Sequence, residues 1–261
     1  MPKVILTGSI RQHVGGLGAV CVMQEQGAGA MHKVVSNEEW LAARKGFLAK
    51  EKEFTRLREE LARQRRELPW VKVEKAYAFD GPNGKESLSD LFAGRGQLIV
   101  NHFMFGPDWN EGCPSCSFWA DTYNGIVVHL EHRDASFVVV SRAPLEKLEA
   151  YKRRMGWSFK LVSSLNNDFN RDYHVSFTPE EQKTAVYNYA AGGFGSSEAP
   201  GVSVFAKGED GQIFHTYSCY ARGLDMLNGA YQLLDVVPKG RDEQGLPYPM
   251  AWVRRHYKYE S

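Results

Sequence analysis

Residues 97–123 read QLIVNHFMFGPDWNEGCPSCSFWADTY, and their order decides the fold. Gln97–Phe103 is a largely continuous apolar run, the pattern of a strand buried on both faces. A loop, Gly106–Gly112, follows it. Cys113-Pro114-Ser115-Cys116 then opens a helical stretch that begins near Ser115. Pro114 suits a first helical turn, where its missing N–H costs nothing. A thiol at such a helix start faces the positive end of the dipole and free N–H groups. These stabilise thiolate and draw its pKa from ~8.5 towards ~4–7. Thiolate is the nucleophile of disulfide exchange, and a second thiol one turn on resolves the mixed disulfide. This makes Cys113 the attacking sulfur and Cys116 the resolving one. Asp108 and Glu111, just upstream, are expected to oppose the thiolate with their negative charge.

Working towards the C-terminus, Phe137–Ser141 (FVVVS) is a second buried strand. Pro144–Met155 is a helix with Leu145, Leu148 and Tyr151 on one face, and Phe159–Ser163 is a short strand. Val202–Ala206 and Gln212–Tyr217 form an antiparallel hairpin across Gly208–Gly211. A last helix is expected over Leu224–Asp235, and residues 239–261, rich in Arg, Tyr and Pro, are expected to lie over the domain as a tail. On the N-terminal side Val71–Phe79 reads as extended and Asp80–Gly84 as a turn. The order is β-α-β-α-β, a hairpin and a helix. It defines an α/β class with a central mixed sheet, parallel strands plus an antiparallel edge, flanked by helices.

Further upstream, Ser36-Asn37-Glu38-Glu39 is a capping box and Pro69 a stop, so residues 36–68 form a long helix of about 48 Å at ~1.5 Å per residue. Trp40, Phe47, Phe54, Leu61 and Leu68 recur every seven residues and make it amphipathic. That stripe can pack along its own domain or form an intermolecular seam, in which case the 36–68 helix makes a homodimer. Its arginines and lysines alternate with glutamates, which reads as a solvated face. Residues 1–31 differ in character. Arg11, His13, the run Val14–Met23 and the small residues Ala28–Ala30 have the order of a secretory signal, but Gly15, Gly16, Gly18 and Gln24–Gln26 break it. VILTGSIRQHVGGLG offers a strand and glycines without a dinucleotide fingerprint or Walker pattern. A disordered extension upstream of a start at Met31 is expected, with Cys21 an incidental thiol.

Composition narrows the function. The 261 residues allow one or two domains, and 32 basic against 31 acidic side chains leave a net charge of +1. Such a chain has no global field for a polyanion, so no nucleic-acid partner is expected. No apolar run approaches the ~20 residues that span a bilayer, so no membrane partner and a cytoplasmic location are expected. Four cysteines are too few for a disulfide scaffold at this length. A structural zinc needs about four ligands, and His102, His129 and His132 lack a zinc spacing beside the one CxxC, so neither metal nor cofactor is expected. His102, within a strand, reads as a core histidine, and Cys219 has no evident partner. A thiol peroxidase would need a Thr or Ser hydroxyl and an Arg at the activated sulfur. None of Asp108–Gly112 carries a hydroxyl, while Arg142, after the next strand, can approach. Trp109 and Trp119 flank the dithiol and can form a hydrophobic docking surface.

The long run VSNEEWLAARKGFLAKEKEFTRLREELARQRRELPWVKVEKAYAFDGPNGKESLSDLF, followed by HFMFGPDW, GCPSCSFWAD, SRAPLEKLEAYKRRMGW and HTYSCYARGLDMLNGAYQLLD, resembles a mostly bacterial family of thioredoxin-like proteins catalogued as a domain of unknown function. The resemblance spans residues 32–257. It implies a thioredoxin-like fold over 70–238, preceded by the long helix, with Cys113 and Cys116 in the place of the dithiol. It also implies a cis-proline facing the dithiol, for which Pro200 is the candidate; with Trp109 and Arg142 it would line the substrate side. The function expected is a thiol–disulfide oxidoreductase acting on a protein or small-molecule disulfide. The alternatives are a thiol peroxidase acting on a peroxide and a non-catalytic binding module.

Overall fold

Ser36 and Glu39 close the capping box that starts the first helix: the Glu39 N–H donates to Ser36 Oγ (3.2 Å) and the Ser36 N–H to Glu39 Oε2 (3.0 Å). That helix, α1, covers Asn37–Arg66 of the computed structural model, which describes residues 32–259. The secretory-signal and extension readings of residues 1–31 therefore lie outside the described residues. The described residues form two units, divided between Arg58 and Glu59.

The second unit carries the sheet. Its elements are β1 (Val71–Lys72), β2 (Ala78–Gly81), β3 (Gly84–Ser87), β4 (Gln97–His102), α2 (Pro114–Tyr123), α3 (Val127–Glu131), β5 (Ala135–Ser141), α4 (Leu145–Met155), β6 (Lys160–Ser163), α5 (Phe169–Asp172), β7 (Val186–Tyr187), β8 (Ala190–Ala191), β9 (Gly201–Lys207), β10 (Ile213–Tyr220) and α6 (Gly229–Leu234). Eight strands form one mixed sheet in the order β1-β10-β9-β4-β5-β6-β2-β3. β4, β5 and β6 run parallel, as βαβ crossovers require. β9 pairs antiparallel with β4 and with β10, and the hairpin β2–β3 closes the far edge. Parallel strands continued by an antiparallel hairpin, with a helix springing from the end of the central strand, make this a thioredoxin-like fold.

The apolar run is central because both its faces are covered. Leu98 and Val100 pack with Phe79, Phe92, Val138, Phe169 and Phe205 on one side. Phe103, just past β4, joins Val139, Leu148, Tyr151, Trp157 and Leu161 on the other. Each such side chain, fully buried, contributes roughly 1.5–3 kcal/mol. The helix α4 presents Leu148, Tyr151 and Met155 to this layer, while Leu145 of the expected face is only half-buried.

Two expectations are revised. Val71–Phe79 is two short strands, because β1 pairs with β10 at one edge while β2 pairs with β6 near the other, so residues 73–77 cross between them. Lys75 and Tyr77 pin the crossing to Asp172 (2.7 Å each). The last helix is a 3-10 segment, Ala221–Leu227, followed by α6. Asn228 separates them with extended backbone, and its side chain accepts the Tyr231 N–H at 3.0 Å as a new N-cap. Among the described residues no helix is long and apolar enough to cross a membrane.

Candidate active site

The chain leaves β4 through the buried residues Phe103–Phe105 and returns in an extended loop. The Cys113 N–H donates to the Met104 carbonyl (2.9 Å), which folds the loop back on the strand end. Gly112 permits that approach: a Cβ there would stand 2.5 Å from the Phe103 ring and 3.1 Å from Tyr151. From α4, Lys147 Nζ donates to the carbonyls of Pro107 (2.9 Å) and Trp109 (3.2 Å) and ties down the outer part of the loop.

Cys113 is the N-cap of α2, with Pro114 in the first turn. Its Sγ accepts the Cys116 N–H at 3.5 Å, a sulfur doing what a Ser oxygen does at other caps. Cys113 is half-buried and Cys116 is buried. Their ionisation is driven apart. The Cys116 S–H donates to Cys113 and, despite opposing burial, brings the Cys113 thiol down to about 7; the backbone N–H groups of Cys116 and Ser115 and the positive Arg255 add to this. Giving its proton to that bond, and being buried, pushes the Cys116 thiol well above the ordinary thiol range. The two thiols thus differ in ionisation: Cys113 is drawn towards thiolate and Cys116 is held as a thiol beside it.

Arg255, in the C-terminal tail, is the functional residue that sequence reasoning missed. Its guanidinium donates to the Gly112 carbonyl (2.7 Å) and to Tyr151 Oη (3.1 Å) and pairs with Glu111 (3.0 Å). Tyr151 Oη lies 2.8 Å from Ser117 Oγ, and Ser117 Oγ donates to the Cys113 carbonyl (2.8 Å). A tail arginine is therefore linked by two hydroxyls to the cysteine backbone. No periodicity or spacing marks residue 255; only the basic character of the tail hints at it. The expected penalty from Glu111 is corrected here. Lys258 (2.8 Å), Arg255 and Arg154 (3.0 Å) surround its carboxylate, with Tyr257 Oη donating at 2.9 Å. The Lys258 bond leads in holding its pKa below the usual range, so the charge is present but matched.

Beside the dithiol lies a cavity of about 270 Å³. Cys113, Ser115 and Cys116 form one wall, Asn101, His102 and Met104 the sheet side, and Trp119, Phe194, Pro200, Leu224 and Met250 the rest. Pro200 is brought to the dithiol, yet no cis peptide occurs among the described residues, so its bond is trans and the cis-proline expectation is not met. Trp109 is not in the cavity. It lies over Gly106, where a Cβ would come within 2.8 Å of its indole, and packs on the aromatic layer below. Trp119 takes the place expected for it, its indole N–H donating to the Leu224 carbonyl at 2.9 Å.

Arg142 does not line the cavity either. It pairs at 3.3 Å with Glu198, a carboxylate only 1% exposed that also accepts from Ser176 Oγ at 2.6 Å. His102 is a core histidine as read, bonded through Nε2 to Ser203 Oγ (2.9 Å). The chain of bonds continues through Ser218 to His215 Nε2. Burial, with His215 nearby, lowers its pKa to about 3, so it is neutral at pH 7. Cys219 is buried away from the cavity, and burial pushes its thiol up. Among the described residues no three His, Cys, Asp or Glu side chains gather as metal ligands.

A dithiol at the N-terminus of the helix that follows the central strand places the molecule among thioredoxin-like proteins. More particularly, residues 29–259 match the model of a family described as bacterial proteins of unknown function, DUF899, and the chain belongs to that family. No curated protein matches the sequence. Among solved structures, peroxidoxin BcpB from Mycobacterium tuberculosis is 13% identical, with a TM-score of 0.43 over 64% of this chain and 97% of its own. A PrxQ mutant from Xylella fastidiosa is 13% identical (TM-score 0.40, 63% and 95% covered). A protein assigned provisionally as thiol:disulfide interchange protein DsbE, from Chlorobium tepidum, is also 13% identical (TM-score 0.35, 59% and 86% covered).

Proposed function

We propose that the protein is a thiol–disulfide oxidoreductase in which Cys113 attacks and Cys116 resolves. The opposite ionisation of two sulfurs one helical turn apart carries this reading. Cys113 thiolate attacks one sulfur of a substrate disulfide; the substrate S–S bond breaks and one thiolate leaves, taking a proton from solvent. Cys116, deprotonated as it reacts, then attacks Cys113 Sγ and releases the second substrate thiol. The protein ends as the Cys113–Cys116 disulfide and the substrate has gained two electrons. Both electrons come from the sulfurs, so this half-reaction needs no cofactor. A dithiol that starts reduced belongs in a reducing compartment such as the cytoplasm.

A thiol peroxidase on the same scaffold is less well supported. Arg142 is committed to Glu198, and among the described residues no Ser or Thr hydroxyl bonds to Cys113 Sγ. The deciding experiment equilibrates the protein in buffers of graded reduced and oxidised dithiothreitol, quenches with an alkylating agent and assigns each cysteine by mass spectrometry. A reversible Cys113–Cys116 disulfide that disappears in Cys113→Ser and Cys116→Ser is the expected result. Both cysteines remaining alkylatable in fully oxidising buffer would overturn it.

A further inference from the structure

We infer that the cavity beside Cys113 selects neutral, apolar organic disulfides and turns away anionic ones such as glutathione disulfide. The inference rests on the exchange reading above and adds the class of substrate. The walls facing the thiols are Met104, Trp119, Phe194, Pro200, Leu224 and Met250, and among the described residues no Lys, Arg, Asp or Glu lines the cavity. The cations Arg154, Arg255 and Lys258 are engaged by Glu111, and Arg255 also by the Gly112 carbonyl. An anionic arm entering here would shed its water against apolar walls without a partner, which is strongly unfavourable.

Size points the same way. At about 270 Å³ the space lies just under the ~300–1,000 Å³ of common small-molecule sites. Cys113 and Cys116 both open onto it. One arm of a small disulfide therefore sits in the cavity with its sulfur against Cys113, and the other arm departs outward as the leaving thiolate. Asn101, His102 and Ser115 supply only neutral hydrogen-bonding groups to that arm. The electron balance is that of the exchange step: the substrate S–S bond breaks, two thiols form and the Cys113–Cys116 bond forms.

The test follows a single turnover of the full, pre-reduced chain by loss of alkylatable Cys113. The probes are dipyridyl disulfide and hydroxyethyl disulfide, both neutral, and glutathione disulfide, each rate being divided by that of the same probe with dithiothreitol. Dipyridyl disulfide is expected to exceed glutathione disulfide at least tenfold on this scale, with hydroxyethyl disulfide between them. Met250→Lys, or Phe194→Lys should the first fail to fold by circular dichroism, is expected to shrink that ratio at least fivefold by favouring the anion. Equal rates, a preference for glutathione disulfide, or a ratio unmoved in both folded variants would overturn the selectivity while leaving exchange standing. No reaction with any probe would overturn both readings.

Discussion

Two buried or half-buried polar regions flank β4, and burial has opposite outcomes in them. In the Arg142–Glu198 pair and in the chain of bonds from His102 through Ser203 and Ser218 to His215, desolvation prevails: the Glu198 carboxyl is pushed up and the His102 imidazole down to about 3. In the dithiol loop the Cys113 thiol goes down despite burial, because hydrogen bonds and a positive charge are aimed at its ionised form. At Glu198 too the neighbours favour the ionised form, but burial outweighs them, whereas at Cys113 the hydrogen bonds outweigh burial. Each region has an arginine–glutamate pair, Arg142–Glu198 and Arg255–Glu111. The first faces a buried carboxylate; the second braces the peptide next to Cys113.

The largest test separates the two pairs by stability. Glu198→Ala leaves Arg142, 20% exposed, without its counter-charge, and should cost about 3 kcal/mol in urea unfolding at pH 7 while leaving the Cys113 pKa in place. A shifted thiol pKa in that variant would join the two regions. Next comes acid. The unfolded histidine gains a proton below about pH 6.5, whereas buried His102 does so only near 3. The unfolded state therefore binds more protons in that window, and stability falls as pH falls through it. Between pH 7 and 5 this residue should remove about 2 kcal/mol. Unfolding midpoints for His102→Gln should flatten by that amount relative to wild type, and parallel curves would contradict the reading.

The remaining tests act on the thiol. Cys116→Ala removes the leading cause of the Cys113 shift and should raise its pKa by about one unit, equivalent to ~1.4 kcal/mol. Arg255 is the last of the causes, so Arg255→Gln should raise it by less than Cys116→Ala does, with Arg142→Gln giving no change. The pH dependence of iodoacetamide alkylation reads both. An Arg142→Gln effect as large as that of Arg255→Gln would erase the distinction between the pairs.

The frame of the fold was legible because its signals are local. A largely apolar run of strand length reads as a covered strand, a Ser/Glu capping box starts a helix, and Pro114 suits a first helical turn. The dithiol was legible for the same reason, since two cysteines one turn apart after that strand define their own geometry. The rest of the site is made by long-range contacts. Arg255 reaches Gly112 across 143 residues of sequence, and Trp109, adjacent in sequence, turns away because Gly106 offers its indole a flat seat. Arg142 was placed near the dithiol by strand order alone, which cannot reveal that Glu198 is waiting for it. Glu111 was read as an opposing charge because its three cations come from α4 and the tail.

The central claim is that Cys113 is ionised near neutral pH while Cys116 is not. Alkylation of the reduced wild-type protein with iodoacetamide from pH 5 to 10, resolved by cysteine in a mass spectrometer, measures this directly. The prediction is that Cys113 reacts first, with a midpoint of about 7. A Cys113 midpoint at the ordinary thiol value of ~8.5 or above, or Cys116 reacting first, would contradict it.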